Sequence, residues 1–389
     1  MKMTEQDKVK TVLAFYQVSN QLKNIMIDPN NQLSIADHMF GSMILSLITE
    51  SELDAKRDLA KEIRMIYFQQ FLKLPNALHL LDQIDHRQLA LELNELYYSS
   101  SAEAKMAHYY QMLDSVLTKM ITEKGIESTD YLYYEALKQE LFIPKNGTEY
   151  QKYYHILEFY LLNHRLREQV RSGWTPSKWN VKKDRLERIS EHVVSTVGLA
   201  CAMNYVFDAF HDSSFDEALK TLVLHETEEC LIGDITPFSG VSEEKKMEMG
   251  HQAVETCFQY LEKKEEYVRK LINFDFKDTP TYYCDKLDAD LQAKVYEESR
   301  VMPTLEENQH STVLQDPRIK DIIRQGAETP FDVWYWFDQD KYVDTPAFMH
   351  VLDGAKKYQL KDLVKNIDQT ISPTSGFTKK IVFKNYQSE

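Results

Sequence analysis

Glycine and proline are scarce in this chain, 11 of each in 389 residues, against ordinary usage of about 7% and 5%. A β-rich fold needs turn residues every few positions, so the shortage argues against one and in favour of long helices. Basic charge is short as well. Lys and Arg number 46 against 61 Asp and Glu, a formal charge of −15. Polymeric nucleic acid is held by basic surface that displaces counterions, so it is not an expected partner. A small phosphorylated molecule stays compatible if a metal supplies positive charge locally. The four cysteines, Cys201, Cys230, Cys257 and Cys284, form no CxxC pair and no zinc-finger spacing, which reads as reduced, buried thiols. Long hydrophobic runs are missing. None approaches a membrane span, and MKMTEQDKVK turns polar where a signal peptide needs an apolar core. The expectation is a cytoplasmic protein without membrane association.

What is present suits buried helical cores: 43% of residues are hydrophobic, and the length fits about two or three domains. In VLAFYQVSNQLKNIMI the apolar positions Val12, Phe15, Leu22 and Ile25 recur at three-to-four spacing, the period of an amphipathic helix. Coil signals fall at IDPNNQ (27–32), IPKNGTE (143–149), SGWTPSKWN (172–180), GDITPFSG (233–240) and SPTSG (372–376). Residues 143–150 make the best linker, because the stretches on either side share a layout. Ile35-Ala36-Asp37-His38 opens one apolar helix and Ile189-Ser190-Glu191-His192 another. QLK at 21–23 precedes the first and RLR at 165–167 the second. Downstream, YYQMLDSVL (109–117) parallels YCDKLDADL (283–291), placing Asp114 opposite Asp288. A repeat of such long period points to two copies of one helical domain.

The second copy holds LVLHETEECLIGDITP, residues 222–237. On a helix His225 and Glu229 would share a face, with Glu226 about 100° round. Gly233 is a helix stop that leaves Asp234 at the end. With His192, Asp285 and Asp288 from other helices, these make a mixed nitrogen and oxygen set suited to Mn, Fe, Co, Ni or Zn. The same residues also read as a solvated acidic face that happens to carry a histidine. Spacing alone leaves both open.

Ser190-Glu191-His192, then VLHETEECLIGDITP, then Cys284-Asp285-Lys286-Leu287-Asp288 resemble the successive motifs of the HD-domain phosphohydrolase superfamily. They are most similar to its small branch of 5′-deoxynucleotidases of the YfbR type. Arg171-Ser172-Gly173-Trp174 resembles the Arg-x-Gly-Trp loop that precedes the first histidine there. The resemblance implies an all-α fold and one divalent metal held by His192, His225, Glu226 and Asp285. It also implies acid/base carboxylates at Glu229 and Asp234. Arg171 and Trp174 would serve a phosphorylated substrate, a nucleoside 5′-monophosphate. The chain departs from the family at one ligand: the His-Asp doublet is here His225-Glu226, whose extra methylene moves the carboxylate outward by about 1.5 Å. The competing expectation is a non-catalytic HD-fold protein that binds a nucleotide or acts as a scaffold.

The first copy keeps His38 but has Gln111 where the metal aspartate belongs, and Tyr67 and Phe68 about where the doublet belongs. It resembles a degenerate HD domain without a metal. The expected organisation is therefore a degenerate domain at 1–142, a metal-bearing domain at 150–302 and a helical extension at 303–389. The two HD-like domains would pair within the chain. The aromatic segment TPFDVWYWFDQDKYVDTPAF, with Trp334 and Trp336, is expected to pack on the second domain, and IVFKNYQSE reads as a short strand or a frayed tail.

Overall fold

The computed structural model describes residues 3–365 other than 29, 31, 85, 125–134, 136–148, 211 and 273–278. Most of the linker candidate, SPTSG and IVFKNYQSE lie outside the described residues. The first half holds helices α1 (Glu5–Ser19), α2 (Ile35–Glu52), α3 (Leu59–Phe71), α4 (Ala77–Asp82), α5 (Arg87–Tyr98) and α6 (Ala102–Lys124). The second holds α7 (Glu149–His164), α8 (Ile189–Phe207), α9 (Asp212–Leu224), α10 (Glu229–Ile232), α11 (Glu243–Phe258), α12 (Lys264–Ile272) and α13 (Pro280–Glu298). Five shorter helices follow: α14 (Thr312–Gln315), α15 (Pro317–Arg324), α16 (Pro330–Asp338), α17 (Pro346–Lys357) and α18 (Leu360–Lys365). The fold is all-α, as expected. Among the described residues the exception is a hairpin pairing Met26–Asp28 with Leu33–Ser34, inside a stretch that reads as coil.

Both Ile-x-x-His segments open helices as the sequence suggests. Ser34 caps α2, with the Asp37 carboxylate accepting from the Ser34 amide, and the Glu191 carboxylate likewise accepts from the Arg188 amide at the start of α8. Every α8 residue from Ile189 to Val206 is buried, and α2 is nearly as enclosed. A helix apolar on all sides must be surrounded. These two are: they pack on each other, α1 from the first half lies along α8, and α7 from the second half lies along α2. The two halves therefore exchange their first helices. The last helices pack on α13, with Tyr342 donating to Asp290 at 2.8 Å, and, beyond the expectation of packing on the second half alone, on α1 of the first half as well.

Gly41 permits the closest of these cross-half approaches. A Cβ at Gly41 would overlap the Arg167 guanidinium and the Asp114 carboxylate, which form a buried ion pair. Gly41→Ala should destabilise the chain by about 3 kcal/mol or more, through overpacking and a disturbed buried pair. Urea unfolding would measure it; a loss below about 1 kcal/mol would mean that Arg167 simply moves aside.

Candidate metal centre

Three separate elements bring the predicted ligands together. His192 sits in the first turn of α8, Asp285 in the second turn of α13, and His225-Glu226 just past the end of α9. One detail differs from expectation. HETEE is not one helix, because α9 ends at Leu224 and the chain continues in tight turns, with Thr227 N–H bonding Leu224 O at 3.0 Å and Glu229 N–H bonding Glu226 O at 3.1 Å. The His225 ring helps end the helix by bonding the Leu222 carbonyl through Nδ1 at 2.7 Å, local competition that periodicity cannot report. Gly233 does act as the stop: its φ is +73° and its amide bonds Glu229 O.

One ligand atom each from His192, His225, Glu226 and Asp285 lies within 4.8 Å of the others. His192 Nε2 is 3.0 Å from Asp285 Oδ1 and 3.3 Å from Glu226 Oε1. His225 Nε2 is 3.4 Å from His192 Nε2, 3.6 Å from Glu226 Oε1 and 3.8 Å from Asp285 Oδ1. Around a metal with bonds of about 2.1 Å, neighbouring ligand atoms stand about 3.0 Å apart in an octahedron and about 3.4 Å in a tetrahedron. The spacing fits. The longer Glu226 side chain has not left the cluster, although Arg171 Nη1 touches the same oxygen at 3.4 Å.

Hydrogen bonding fixes what these atoms offer. Asp288 Oδ2 accepts from His192 Nδ1 at 2.6 Å, and the Leu222 carbonyl accepts from His225 Nδ1. With Nδ1 the donor in each ring, both Nε2 lone pairs point into the cluster, as the hydrogen-bond partners of metal-binding histidines arrange them. Two imidazole lone pairs and two carboxylate oxygens then converge at one place. Such a donor set calls for a cation. In the metal-free site a proton serves: burial and Arg171 press the His192 imidazolium down, but bonds to Asp285, Asp288 and Glu226 outweigh them and lift it to about 10. Burial pushes the Glu226 carboxyl up, yet the two histidines bring it down to about 2.

Around the cluster, Lys286 Nζ holds the second oxygen of Asp285 at 2.7 Å, a role that sequence reading did not assign. Glu229 is buried with one oxygen lacking a hydrogen-bond partner. Burial, then the charges of Glu226 and Asp234, raise its carboxyl well above the usual range. Asp234 anchors the Arg171–Trp174 loop: its Oδ2 accepts from the Ser172 amide at 2.6 Å, and Ser172 Oγ donates to its carbonyl at 2.9 Å. Trp174 is 2% exposed. Its ring packs on Tyr296 and Trp334 and its Nε1 donates to Glu187. All four cysteines are buried and free of disulfides.

Residues 163–322 match the family model described as the HD domain. That segment is similar to the HD domain. No curated protein matches the chain. Metal-dependent phosphohydrolysis is the superfamily's general activity, and the matched segment contains all four clustered ligands.

The first half has a histidine–aspartate pair but no comparable set of metal donors among the described residues. His38 Nδ1 pairs with Asp114 Oδ2 at 2.7 Å. Gln111, expected in place of a metal aspartate, bonds Gln69 and Gln70 and not Tyr67 or Phe68. Tyr67 and Phe68 are core residues: the Tyr67 hydroxyl bonds Ser19 at 2.6 Å and the two rings meet edge to face. Among the described residues the metal-type cluster is the one in the second half. Three amides bonding one another offer neutral donors and acceptors and no reason to hold a cation.

Proposed function

We propose that this chain hydrolyses a small phosphate monoester, a nucleoside 5′-monophosphate, at a single divalent metal held by His192, His225, Glu226 and Asp285. The observation that carries the reading is the convergence of two Nε2 lone pairs and two carboxylate oxygens at metal-ligand spacing. A bound divalent ion would lower the pKa of a water and screen phosphate charge. The chain's own residues do the rest. Arg171 and Lys286 flank the ligands and draw the phosphate into an otherwise acidic protein. Protonated Glu229 gives its proton to the leaving alkoxide as the phosphorus–oxygen bond breaks, while Asp234 takes a proton from the attacking water. The nucleotide assignment rests on the likeness of the Arg171–Trp174 loop and the later motifs to deoxynucleotidases. The first half, in this reading, is a degenerate HD domain that pairs with the second as a built-in partner.

A second reading, nucleotide binding without turnover, draws on the Arg171 contact with Glu226, which places a competing cation on one metal ligand. Phosphate release from a panel of ribo- and deoxynucleoside monophosphates with Mn²⁺, Co²⁺ or Ni²⁺ separates the two. Metal-dependent release is expected; none from folded protein with any of the ions would put the binding role first.

A further inference from the structure

The HD segment does not complete its own site. Asp288, which sets the tautomer of His192, also receives contacts from the first half. The Tyr16 hydroxyl donates to Asp288 Oδ1 at 2.9 Å and lies 3.0 Å from its carbonyl. Lys23 Nζ stands 3.9 Å from Asp288 Oδ1. The same ammonium bonds Glu187 Oε1 at 2.5 Å and Gln292 Oε1 at 2.9 Å. Glu187 in turn accepts from Trp174 Nε1 at 2.7 Å, and its backbone carbonyl accepts from the Arg171 amide. One lysine from the first half thus reaches both Asp288, behind His192, and the foot of the Arg171–Trp174 loop. Lys23 and Tyr16 are both buried.

The mirror arrangement exists in the other half. Tyr160 donates to Asp114 Oδ1 at 2.8 Å, Arg167 pairs with the same oxygen, and Asp114 Oδ2 takes His38 Nδ1. Each half's histidine–aspartate pair is therefore braced by a tyrosine and a cation from the opposite half. Where no metal ligands surround the histidine, the brace can serve packing alone. Where they do, it has a chemical consequence. A carboxylate fixed by several donors keeps its imidazole in one tautomer and one orientation, and such outer partners affect metal affinity by about 10- to 100-fold.

We propose that Tyr16 and Lys23 are positioning residues for the metal centre, supplied across the molecule by the first half, and that they act on His192 through Asp288. The inference rests on the metal-site reading above and goes beyond it, because it gives the first half a direct part in ion binding.

Co²⁺ titration of the full chain, followed by visible absorption, tests it in wild type, Tyr16→Phe and Tyr160→Phe. Both substitutions remove one buried hydroxyl from the same kind of pair, so thermal denaturation should register similar losses. Tyr16→Phe should weaken Co²⁺ binding about tenfold and alter the bound-ion spectrum, whereas Tyr160→Phe should leave affinity within about twofold. Lys23→Gln gives a second route should Tyr16→Phe fold poorly: it should also weaken binding, with Lys23→Arg restoring part of the loss. Unchanged affinity in Tyr16→Phe, or an equal loss in Tyr160→Phe, overturns the proposal. A wild type that binds no Co²⁺ overturns the metal-site reading itself, and so distinguishes the two failures.

Discussion

His225→Ala should raise the Kd for Co²⁺ by at least about 100-fold and abolish phosphate release, while Glu229→Gln should keep the ion and lose turnover by about 10²- to 10⁴-fold. The contrast follows from geometry. His225 supplies one of four converging ligand atoms and is fixed by the Leu222 carbonyl, so alanine leaves three donors around an enlarged space. Glu229 is absent from the ligand set. It stands nearby, buried, with an oxygen unsatisfied and its carboxyl pushed well above the usual range by burial and by Glu226 and Asp234. Glutamine keeps its shape and removes its proton. Wild-type ion affinity in His225→Ala would remove the site as assigned, and full activity in Glu229→Gln would remove the acid.

The same centre should bind metal more tightly as pH rises. Without metal, His192 titrates near 10, so below that pH a proton occupies a place the ion needs. Binding near neutrality should release about one proton, and affinity should climb about tenfold per unit between about pH 6.5 and 8.5. Calorimetry in buffers of different ionisation enthalpy would count the proton. A flat profile would mean that His192 is already neutral there.

Cutting the chain before α7 should leave residues 149–389 insoluble or self-associated and unable to bind Co²⁺ as a monomer. α8 is buried along its length only because α1 and α2 cover it. Its Val193, Val194, Val197, Leu199 and Met203 are all at most 2% exposed. Baring even a few such side chains costs about 1.5–3 kcal/mol each, against a total stability of about 5–15 kcal/mol. The cut also removes polar partners: Asp37 accepts from Ser190 Oγ at 2.6 Å, and Ser34 Oγ donates to Glu191 at 2.6 Å. Analytical ultracentrifugation and the Co²⁺ titration would read both effects. A soluble monomer with wild-type affinity would show that the first half is dispensable.

Some of this was written in short stretches of chain. The shortage of glycine and proline and the three-to-four periodicity called for helices, and Ile35 and Ile189 do begin them. His192, His225 and Asp285 were legible because each sits in a compact motif whose residues act together locally. Other assignments depended on helical phase carried past the point where it holds. His225 and Glu229 were placed on one helical face, yet the helix ends at Leu224. Tyr67 and Phe68 were expected near Gln111, yet Gln69 and Gln70 are the ones bonded to it, because no local feature distinguishes inward-facing glutamines from exposed ones and Gln111 comes from another helix.

By itself the sequence determined an all-helical chain and the chemical types of the ligands, since helix formation and ligand hardness are properties of residues and near neighbours. Tertiary structure alone decided that Glu226 reaches the cluster despite its extra methylene and that Lys286 holds one oxygen of Asp285. It also decided that Tyr16 bonds Asp288 across 272 positions. Those outcomes depend on how helices far apart in sequence are packed, and packing is set by the whole buried surface at once.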